Sequence, residues 1–257
     1  MSFFKKMLAS VGIGSAKVDT ELDSAQVVVD GTISGRVRVQ GGQTEQRVEN
    51  IYLYLKTSYV REHNDSKVTH EAVIAKYQLS AAFTLNPGEN KEIPFHFALP
   101  QQMPITLRQA PVWVETGLDI SQAVDPTDRD YIQVLPNQEI QTVLDALDNL
   151  GFRLREVTND YAPRLGGALP FVQEFEFVPT THFRGKLDEL EVLFFPRGAD
   201  LELMLQIDRK ARGLRGLFAE EMGLDESLVR VTIPGGELRR GVQTVAGQLK
   251  ELISRYS

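Results

Sequence analysis

The feature that most constrains the fold is an alternation of apolar and polar residues that runs through the first half of the chain. In residues 17–22, 33–39 and 51–59 every second position holds an apolar side chain, apart from Thr20, Gly35 and Thr57. Successive side chains of a β-strand point to opposite faces, so this period of two predicts strands with one buried face. Residues 16–135 show no competing helical period, and about seven strands are expected there, which is typical of a β-sandwich.

The stretch from Phe83 to Pro136 predicts where the first domain ends. Asn86-Pro87-Gly88-Glu89 forms a tight turn, because Pro presets its first central position and Gly tolerates the second. Alternating segments follow over 92–99 and 112–120, and an acidic, proline-containing segment then interrupts the pattern. We therefore place the domain boundary within 121–137, which gives an N-terminal domain over residues 1–125 and a C-terminal domain over residues 126–257.

The second half combines strands with helices. Asn137 is a helix N-cap signal, and Gly151 is placed to end the helix that follows. Helices are predicted at about 138–150, 214–222 and 237–255 from apolar stripes at helical spacing. Strands are predicted over 152–157, 171–178, 190–195, 201–207 and 228–233. The predicted fold class is mainly β, with two β-sandwich domains in tandem and helices added to the C-terminal half.

Composition limits the functions open to this chain. Its 257 residues fit two domains of ordinary size, and its net charge is −7. An acidic chain is a poor candidate for nucleic acid, because phosphate binding requires a concentrated basic face. The chain has no cysteine, which excludes disulfides, thiolate metal sites and thiol nucleophiles. We find neither a signal peptide nor an apolar run of the ~18–20 residues that a membrane span needs, so we expect a cytoplasmic protein.

No pattern in the sequence predicts catalysis. The four histidines show no ligand spacing, so no metal site is expected. The segment from Gly12 to Lys17 lacks the spacing of a phosphate-binding loop and precedes the first strand instead of following one. No serine lies in a Gly-x-Ser-x-Gly turn. We expect a non-enzymatic protein with no catalytic residue and no cofactor.

A basic segment is the first candidate for binding a protein partner. Arg209, Lys210, Arg212 and Arg215 form the one concentrated group of cations in this acidic sequence. Such a group binds acidic peptides or phosphate through charge-assisted hydrogen bonds. The alternative is pairing within the chain, since Glu220, Glu221, Asp225 and Glu226 follow closely.

The acidic segment at the boundary is a candidate interdomain hinge. Asp125, Asp128, Arg129 and Asp130 crowd together there. Burying such charges is costly unless they are paired, so a paired cluster would respond to a competing ligand charge. The alternative is a solvated linker without a mechanical role.

The two ends of the chain are candidates for self-association. Phe3 and Phe4 belong to a short amphipathic start, which could also make weak contact with a membrane surface. Near the C-terminus an apolar stripe lies on the last predicted helix. The stripe consists of Leu238, Val242, Val245, Leu249 and Leu252. A homodimer built through these residues is one interpretation, and a detachable C-terminal tail that mimics a partner is another. Packing of both segments on their own domains is the third.

The residues also resemble a known family, the bacterial sporulation-control SpoOM family of the arrestin-like clan. The opening MSFFKKMLASVGIGSAKVDT is similar to the start of that family, and residues 30–39 and 51–55 resemble the arrestin-type turn and its two following strands. Residues 86–100, 187–192 and 207–213 resemble later segments. The turn departs from the usual Pro-Gly-Glu, because Val29-Asp30-Gly31-Thr32 stands there and must turn through Asp-Gly.

The resemblance implies two arrestin-like β-sandwich domains and a regulatory or scaffolding role without catalysis. We expect an adaptor whose sandwich edges and the groove between its two domains bind a protein segment, with strand addition as one route. A self-assembling structural dimer or oligomer is the alternative. A small-ligand or polysaccharide site would need exposed aromatic side chains, for which Trp113, Tyr52 and Tyr54 are the only candidates. We expect Tyr52 and Tyr54 to lie under another sheet or helix. The sequence identifies neither the partner nor the signal that regulates it.

Overall fold

The structure is a computed structural model, and it describes residues 15–63, 66–108, 110–121, 125–208 and 228–257. The chain divides into two compact units. Unit 1 comprises Met1–Thr57, Glu71–Met103 and Pro111–Val134. Unit 2 comprises Ser58–His70, Pro104–Ala110 and Leu135–Ser257.

The described residues form fourteen strands and three helices. Unit 1 contains, wholly or in part, β1 (Lys17–Leu22), β2 (Gln26–Val28), β3 (Thr32–Gln40), β4 (Gln46–His63), β5 (Ser66–Ser80), β6 (Phe83–Leu85), β7 (Asn90–Ala98), β8 (Val112–Ile120) and β9 (Thr127–Leu135). Unit 2 contains α1 (Gln138–Asn149), β10 (Phe152–Tyr161), β11 (Phe171–Pro179), β12 (Glu189–Arg197), β13 (Asp200–Asp208), β14 (Leu228–Ile233), α2 (Gly235–Arg239) and α3 (Val242–Tyr256).

Unit 1 is built from two groups of paired strands. The order β1-β3-β7 makes a three-stranded antiparallel sheet. The second group has the order β4-β8-β9-β2, and β5 and β6 also pair with β4. The alternation in the sequence supplies the core, because the inward residues of both groups are buried: Ile33, Val37, Val39, Ile51, Leu53, Leu55, Val114, Leu118, Ile132 and Val134.

Unit 2 is an antiparallel sheet with helices. Strands β10, β11, β12, β13 and β14 pair in chain order. Helix α1 packs on α3 and on β10, and α3 buries Val245, Leu249 and Ile253. The end of β4 also belongs to this unit, where Val60 pairs with Asp160 of β10. The Tyr59 ring stacks on His70, Tyr161 and Phe171 at centroid distances of 5.5, 6.1 and 5.8 Å, which joins the β4 end to β10 and β11.

The mainly β fold class with C-terminal helices is confirmed. The Asp-Gly turn forms, since Gly31 N donates to Val28 O at 3.0 Å with Asp30 at φ 61°. The tandem of two arrestin-like sandwiches stays a prediction.

The domain boundary at residue 125 also stays a prediction. The compact units differ from that division in two respects, and the first is that β9 begins at Thr127 and pairs with β8 inside unit 1. Residues 58–70 and 104–110 lie in unit 2 although they precede the predicted boundary.

The predicted helices are found where the structure describes them, with one difference. The predicted helix at 138–150 is α1, whose N-cap Asn137 accepts a hydrogen bond from Ile140 N at 3.0 Å. The helix at 237–255 is in fact two helices, α2 and α3, because Gly241 lies between them at φ 93°, outside the helical range. The predicted helix at 214–222 lies outside the described residues.

Gly151 ends α1 in a way that no other residue type would match, which gives a first prediction. Its φ is 80°, and a Cβ placed on it would lie 1.8 Å from Thr181 Oγ1. We expect Gly151→Ala to lower the free energy of unfolding by about 2–3 kcal/mol through backbone strain and overpacking. The measurement is equilibrium denaturation in urea.

The matched control is Gly247→Ala, since a Cβ on Gly247 in α3 would meet no atom within 4 Å. That change should raise stability by up to about 1 kcal/mol, the helix preference of Ala over Gly. Adding Thr181→Ala to Gly151→Ala should recover part of the loss. An unchanged free energy of unfolding in Gly151→Ala would contradict the argument.

Candidate interaction surface

The outward side of β4, β5, β8 and β9 in unit 1 carries an unusual set of side chains. Strand register places Tyr52 opposite Gly117, Tyr54 opposite Glu115 and Lys56 opposite Trp113. On the next strand Arg129 is opposite Glu115, and Tyr131 is opposite Trp113. We call this surface the cation–aromatic face. It consists of Tyr52, Tyr54, Lys56, Lys76, Trp113, Glu115, Gly117, Arg129 and Tyr131.

Aromatic rings hold the cations of this face. The Lys76 ammonium lies 3.7 Å from the centroid of the Tyr52 ring and 5.2 Å from that of Tyr54. The Arg129 guanidinium lies 4.7 Å from the Trp113 ring centroid. Cations at these distances are attracted by the negative face of the ring, which restricts long, flexible side chains to few rotamers. The face therefore presents its positive charges in fixed places.

A carboxylate joins the remaining cations into a network. Glu115 accepts from Lys56 Nζ and, at 2.8 Å, from Arg129 Nη2. Glu71 of β5 lies 3.2 Å from the same Arg129 nitrogen and 3.8 Å from Lys56 Nζ. Burial of Glu115 tends to raise the pKa of its carboxyl, but the hydrogen bonds and charges of Lys56 and Arg129 outweigh it and lower the pKa. Lys56 and Arg129 are thus largely neutralised within the face.

Trp113 supports the face from below. Its side chain is 3% exposed, whereas Tyr131 beside it is 63% exposed. The rings lie 5.9 Å apart, and the indole nitrogen of Trp113 has no hydrogen-bond partner among the described residues. The buried indole ring of Trp113 therefore packs beneath Arg129 and Tyr131, and it is not available to stack on a ligand.

The four hinge candidates lie at or within a paired strand. Asp125 Oδ1 accepts from Ile120 N at 2.9 Å, just before β9. Asp128 Oδ2 accepts from Thr20 N of β1 at 2.7 Å, and Thr20 Oγ1 donates to Thr116 Oγ1 at 2.8 Å. Arg129 points outward into the cation–aromatic face. Asp125 precedes β9, and the other three side chains are divided between the two faces of that strand. The role of the four residues as a hinge stays a prediction.

Asp130 stands in an unfavourable electrostatic environment. It shares the inward face of β9 with Asp128, and Asp19 of β1 lies close enough to act on its charge. Partial burial and the negative charges of Asp128 and Asp19 raise the pKa of Asp130 to about 6. Like charges near a partly buried carboxyl favour its neutral form, so this group titrates closer to neutral pH than an ordinary aspartate.

The candidates for self-association are partly buried within unit 2. Leu238, Val245 and Leu249 are at most 4% exposed, because α1 packs against α3. Val242 and Leu252 are half-buried, so contact with a second copy would begin at these two residues. Phe3 and Phe4 lie outside the described residues. The self-association role stays a prediction.

The basic candidates Arg209, Lys210, Arg212 and Arg215 also lie outside the described residues. In the part of the chain that the structure describes, no group of three or more His, Cys, Asp or Glu side chains could hold a metal ion. No helix among those residues is long and apolar enough to cross a membrane.

Reasoning from the sequence missed the cation–aromatic face as a unit. The alternation of Tyr52, Tyr54 and Lys56 does place these three residues on one side of a strand. Their partners come from β5, β8 and β9, and the register that aligns them depends on tertiary pairing. A search for strands with a polar, aromatic outward face would have detected the signal without identifying the contacts.

The fold and this face define a mainly β, two-unit protein with an ordered aromatic and charged surface on unit 1. Comparison with known proteins identifies its family. A family profile described as SpoOM protein matches residues 4–211, and the chain therefore belongs to the SpoOM family. It is 42% identical over 258 residues to the sporulation-control protein spo0M of Bacillus subtilis (strain 168), with both chains covered completely.

A solved structure supports the same assignment. The crystal structure of Spo0M, the sporulation control protein from Bacillus subtilis, matches with a TM-score of 0.90 and 40% sequence identity. The match covers 95% of this chain and all of that chain. The family resemblance expected from the sequence is confirmed.

The environment of Asp130 gives a pH-dependent prediction. Because the folded pKa of about 6 exceeds the ordinary value of 3.8, the folded state binds more protons between these values. Stability should fall as pH rises through that window and stay lowered above it. Asp130→Asn should therefore raise the free energy of unfolding at pH 7.5 by about 1 kcal/mol, a figure kept small because the group borders solvent.

The measurement is urea denaturation from pH 4 to pH 8. The gain in Asp130→Asn should shrink as pH falls towards 4, where the wild-type carboxyl is neutral as well. Asp119→Asn, on the outward face of β8, is the control and should change stability little. A loss of stability in Asp130→Asn at pH 7.5 would show that the charged carboxylate is favourable.

Glu115 gives a prediction of the opposite sign. Its folded pKa lies below the ordinary value of 4.5, so its contribution is present at neutral pH and is lost as pH falls through the folded pKa. Glu115→Gln should cost about 1–2 kcal/mol at pH 7, since two charge-assisted hydrogen bonds are weakened. The difference from wild type in urea denaturation should narrow below pH 4.

Glu49→Gln is the matched control for Glu115→Gln. Glu49 pairs with Arg47 at 2.9 Å on the same strand, β4, but both side chains are well exposed. Such exposed pairs contribute about 0–1 kcal/mol. Equal losses in the two variants would mean that the network around Glu115 adds nothing beyond an ordinary surface ion pair.

Proposed function

We propose that this protein is a cytoplasmic regulator in sporulation control that acts by binding other proteins and catalyses no reaction. The observation that carries the regulatory role is the 42% identity, over the full length of both chains, to the sporulation-control protein spo0M of Bacillus subtilis. A similarity that extends through both units makes it reasonable to extend the role as well as the fold.

The cation–aromatic face supports the protein-binding part of the proposal. Tyr, Trp and Arg are enriched where proteins contact each other, because they combine a large apolar area with directed polar groups. Tyr131 is the most exposed aromatic side chain of the face, and Arg129 beside it is already held in place by Glu115 and Trp113. Little side-chain freedom remains to be lost when a partner binds, which favours association.

The basic segment supplies a second proposed contact. Arg209, Lys210, Arg212 and Arg215 would engage an acidic or phosphorylated part of a partner through charge-assisted hydrogen bonds. A partner that engaged unit 1 and the basic segment together would gain from linked binding sites, because the second contact forms at a high effective concentration. In this mechanism Asp125, Asp128, Arg129 and Asp130 would form the hinge.

Complementation tests the regulatory role. The chain is expressed in a Bacillus subtilis strain from which its own sporulation-control protein spo0M has been deleted, and heat-resistant spores are counted. We expect wild-type protein to move the spore count of the deletion strain towards that of the parent strain. Failure to do so, with the protein present at normal levels, would contradict the proposed regulatory role in this host.

A charge-matched pair of variants tests the basic segment. Changing Arg209, Lys210, Arg212 and Arg215 to Ser should reduce both complementation and the partners recovered by crosslinking and mass spectrometry. The control changes Arg239, Arg240, Lys250 and Arg255 to Ser, which removes four exposed cations from α2, α3 and the residue between them. Equal effects of the two variants would show that net charge matters and that the basic segment has no special role.

A further inference from the structure

Gly117 occupies a position where the fold does not require a glycine. It lies within β8 and is not among the glycines with positive φ. A Cβ built on it would meet only Thr127 Cγ2, at 4.0 Å, among the described residues. By contrast, a Cβ on Gly35 or Gly41 would lie 2.3 or 2.1 Å from a backbone oxygen. Those two glycines are required by packing, and Gly117 is not.

A glycine inside a strand weakens the strand, and it often marks a place where another backbone approaches closely. Because Gly117 has no side chain, a gap lies over its backbone in the cation–aromatic face, and we call this gap the notch. Tyr52 of β4 and Thr127 of β9 are its partners on the two neighbouring strands and form the walls. The notch is therefore bordered by an aromatic ring and a methyl group, and no side chain of residue 117 covers the backbone there.

The charge next to the notch indicates what binds there. Lys56 and Arg129 are paired with Glu115 and Glu71. Lys76, held over Tyr52, has no carboxylate within ion-pair distance in the described part of the chain, so it is the uncompensated cation of the face. Asp119, two residues from Gly117 on the same side of β8, is exposed and would repel an acid placed directly over the notch. An acidic group is therefore favoured on the Lys76 side of Tyr52.

We propose that the notch at Gly117 binds an extended segment of a partner protein, whose backbone lies over Gly117 and whose Asp or Glu side chain pairs with Lys76. The segment packs against the Tyr52 ring and the Thr127 methyl group. This inference rests on the proposed protein-binding function and adds to it the place of contact and the chemistry of the partner.

The position of Thr127 beside Gly117 allows a direct test with the full chain. Thr127 is replaced by the photocrosslinking residue p-benzoylphenylalanine, and the protein is expressed in the sporulating Bacillus subtilis deletion strain. After irradiation, the captured peptide is sequenced by mass spectrometry. We expect a peptide from another protein with Asp or Glu within a few residues of the crosslinked position.

Two variants should reduce the capture, and two controls should not. Gly117→Val fills the notch, and Lys76→Gln removes the cation; each should lower the crosslinked product about tenfold, the loss expected for one charge-assisted contact. Lys91→Gln removes a lysine held in the same way, 4.1 Å from the Phe83 ring centroid, at another place in unit 1. Gly247→Ala adds a methyl group to α3. Lys76→Arg should keep the capture.

The thermal unfolding midpoint separates binding from folding. Gly117→Val should unfold at the same or a higher temperature than wild type, because Val favours strands and its Cβ would meet no backbone atom within 4 Å. Capture that persists in Gly117→Val and Lys76→Gln overturns the inference, as does capture of a second copy of this chain or of a peptide without acidic residues.

If partner proteins still co-purify with the protein but the crosslinker at position 127 captures none of them, the notch is not their binding site, although the proposed function stands. If the wild-type protein yields no partner by either route, the protein-binding function fails together with the inference.

Discussion

The register of β8 between β4 and β9 is the constraint on which the rest of unit 1 depends. Because strand side chains alternate, a shift of one residue would turn Val114 and Leu118, which are at most 1% exposed, towards the cation–aromatic face. The same shift would bring Trp113, Glu115 and Gly117 into the apolar core. The observed register also aligns Thr116 with Thr20 and Glu115 with Arg129. Core packing and the polar surface therefore specify the same alignment.

The two sides of β9 show how different the environments of neighbouring charges can be. Arg129 faces outward and binds two carboxylates, whereas Asp128 and Asp130 face inward with Asp19 nearby. The carboxylate of Asp128 accepts a hydrogen bond from the backbone of β1 and so links the two groups of strands. Asp130 gains no such partner for its buried oxygen Oδ2 among the described residues. Its charge is a cost that the surrounding apolar packing offsets.

The sequence allowed the local structure to be predicted where one physical signal dominated. Alternation located the strands of unit 1, Asn137 and Gly151 located the two ends of α1, and the apolar stripe located α3. The sequence did not indicate that β9 begins at Thr127, because three charged residues in succession are typical of a linker, whereas strand pairing and a backbone contact hold residues 128–130 in β9. It also missed the break at Gly241, since apolar spacing continues through it. Neither the pairing of β8 with β4 and β9 nor the burial of Leu238, Val245 and Leu249 by α1 can be derived from local periodicity.

The energetic weakness of the cation–aromatic face is itself an argument for a binding role. Exposed ion pairs and ring-held cations each contribute about 1 kcal/mol or less to folding. A strand glycine and an uncompensated lysine contribute less than the alternatives available at those positions, because Val would strengthen the strand and a carboxylate would pair with Lys76. Folding stability alone would favour Val in place of Gly117 and a carboxylate beside Lys76. The strand glycine and the lysine without a carboxylate add little to folding, and this supports the proposed contact of the face with another molecule.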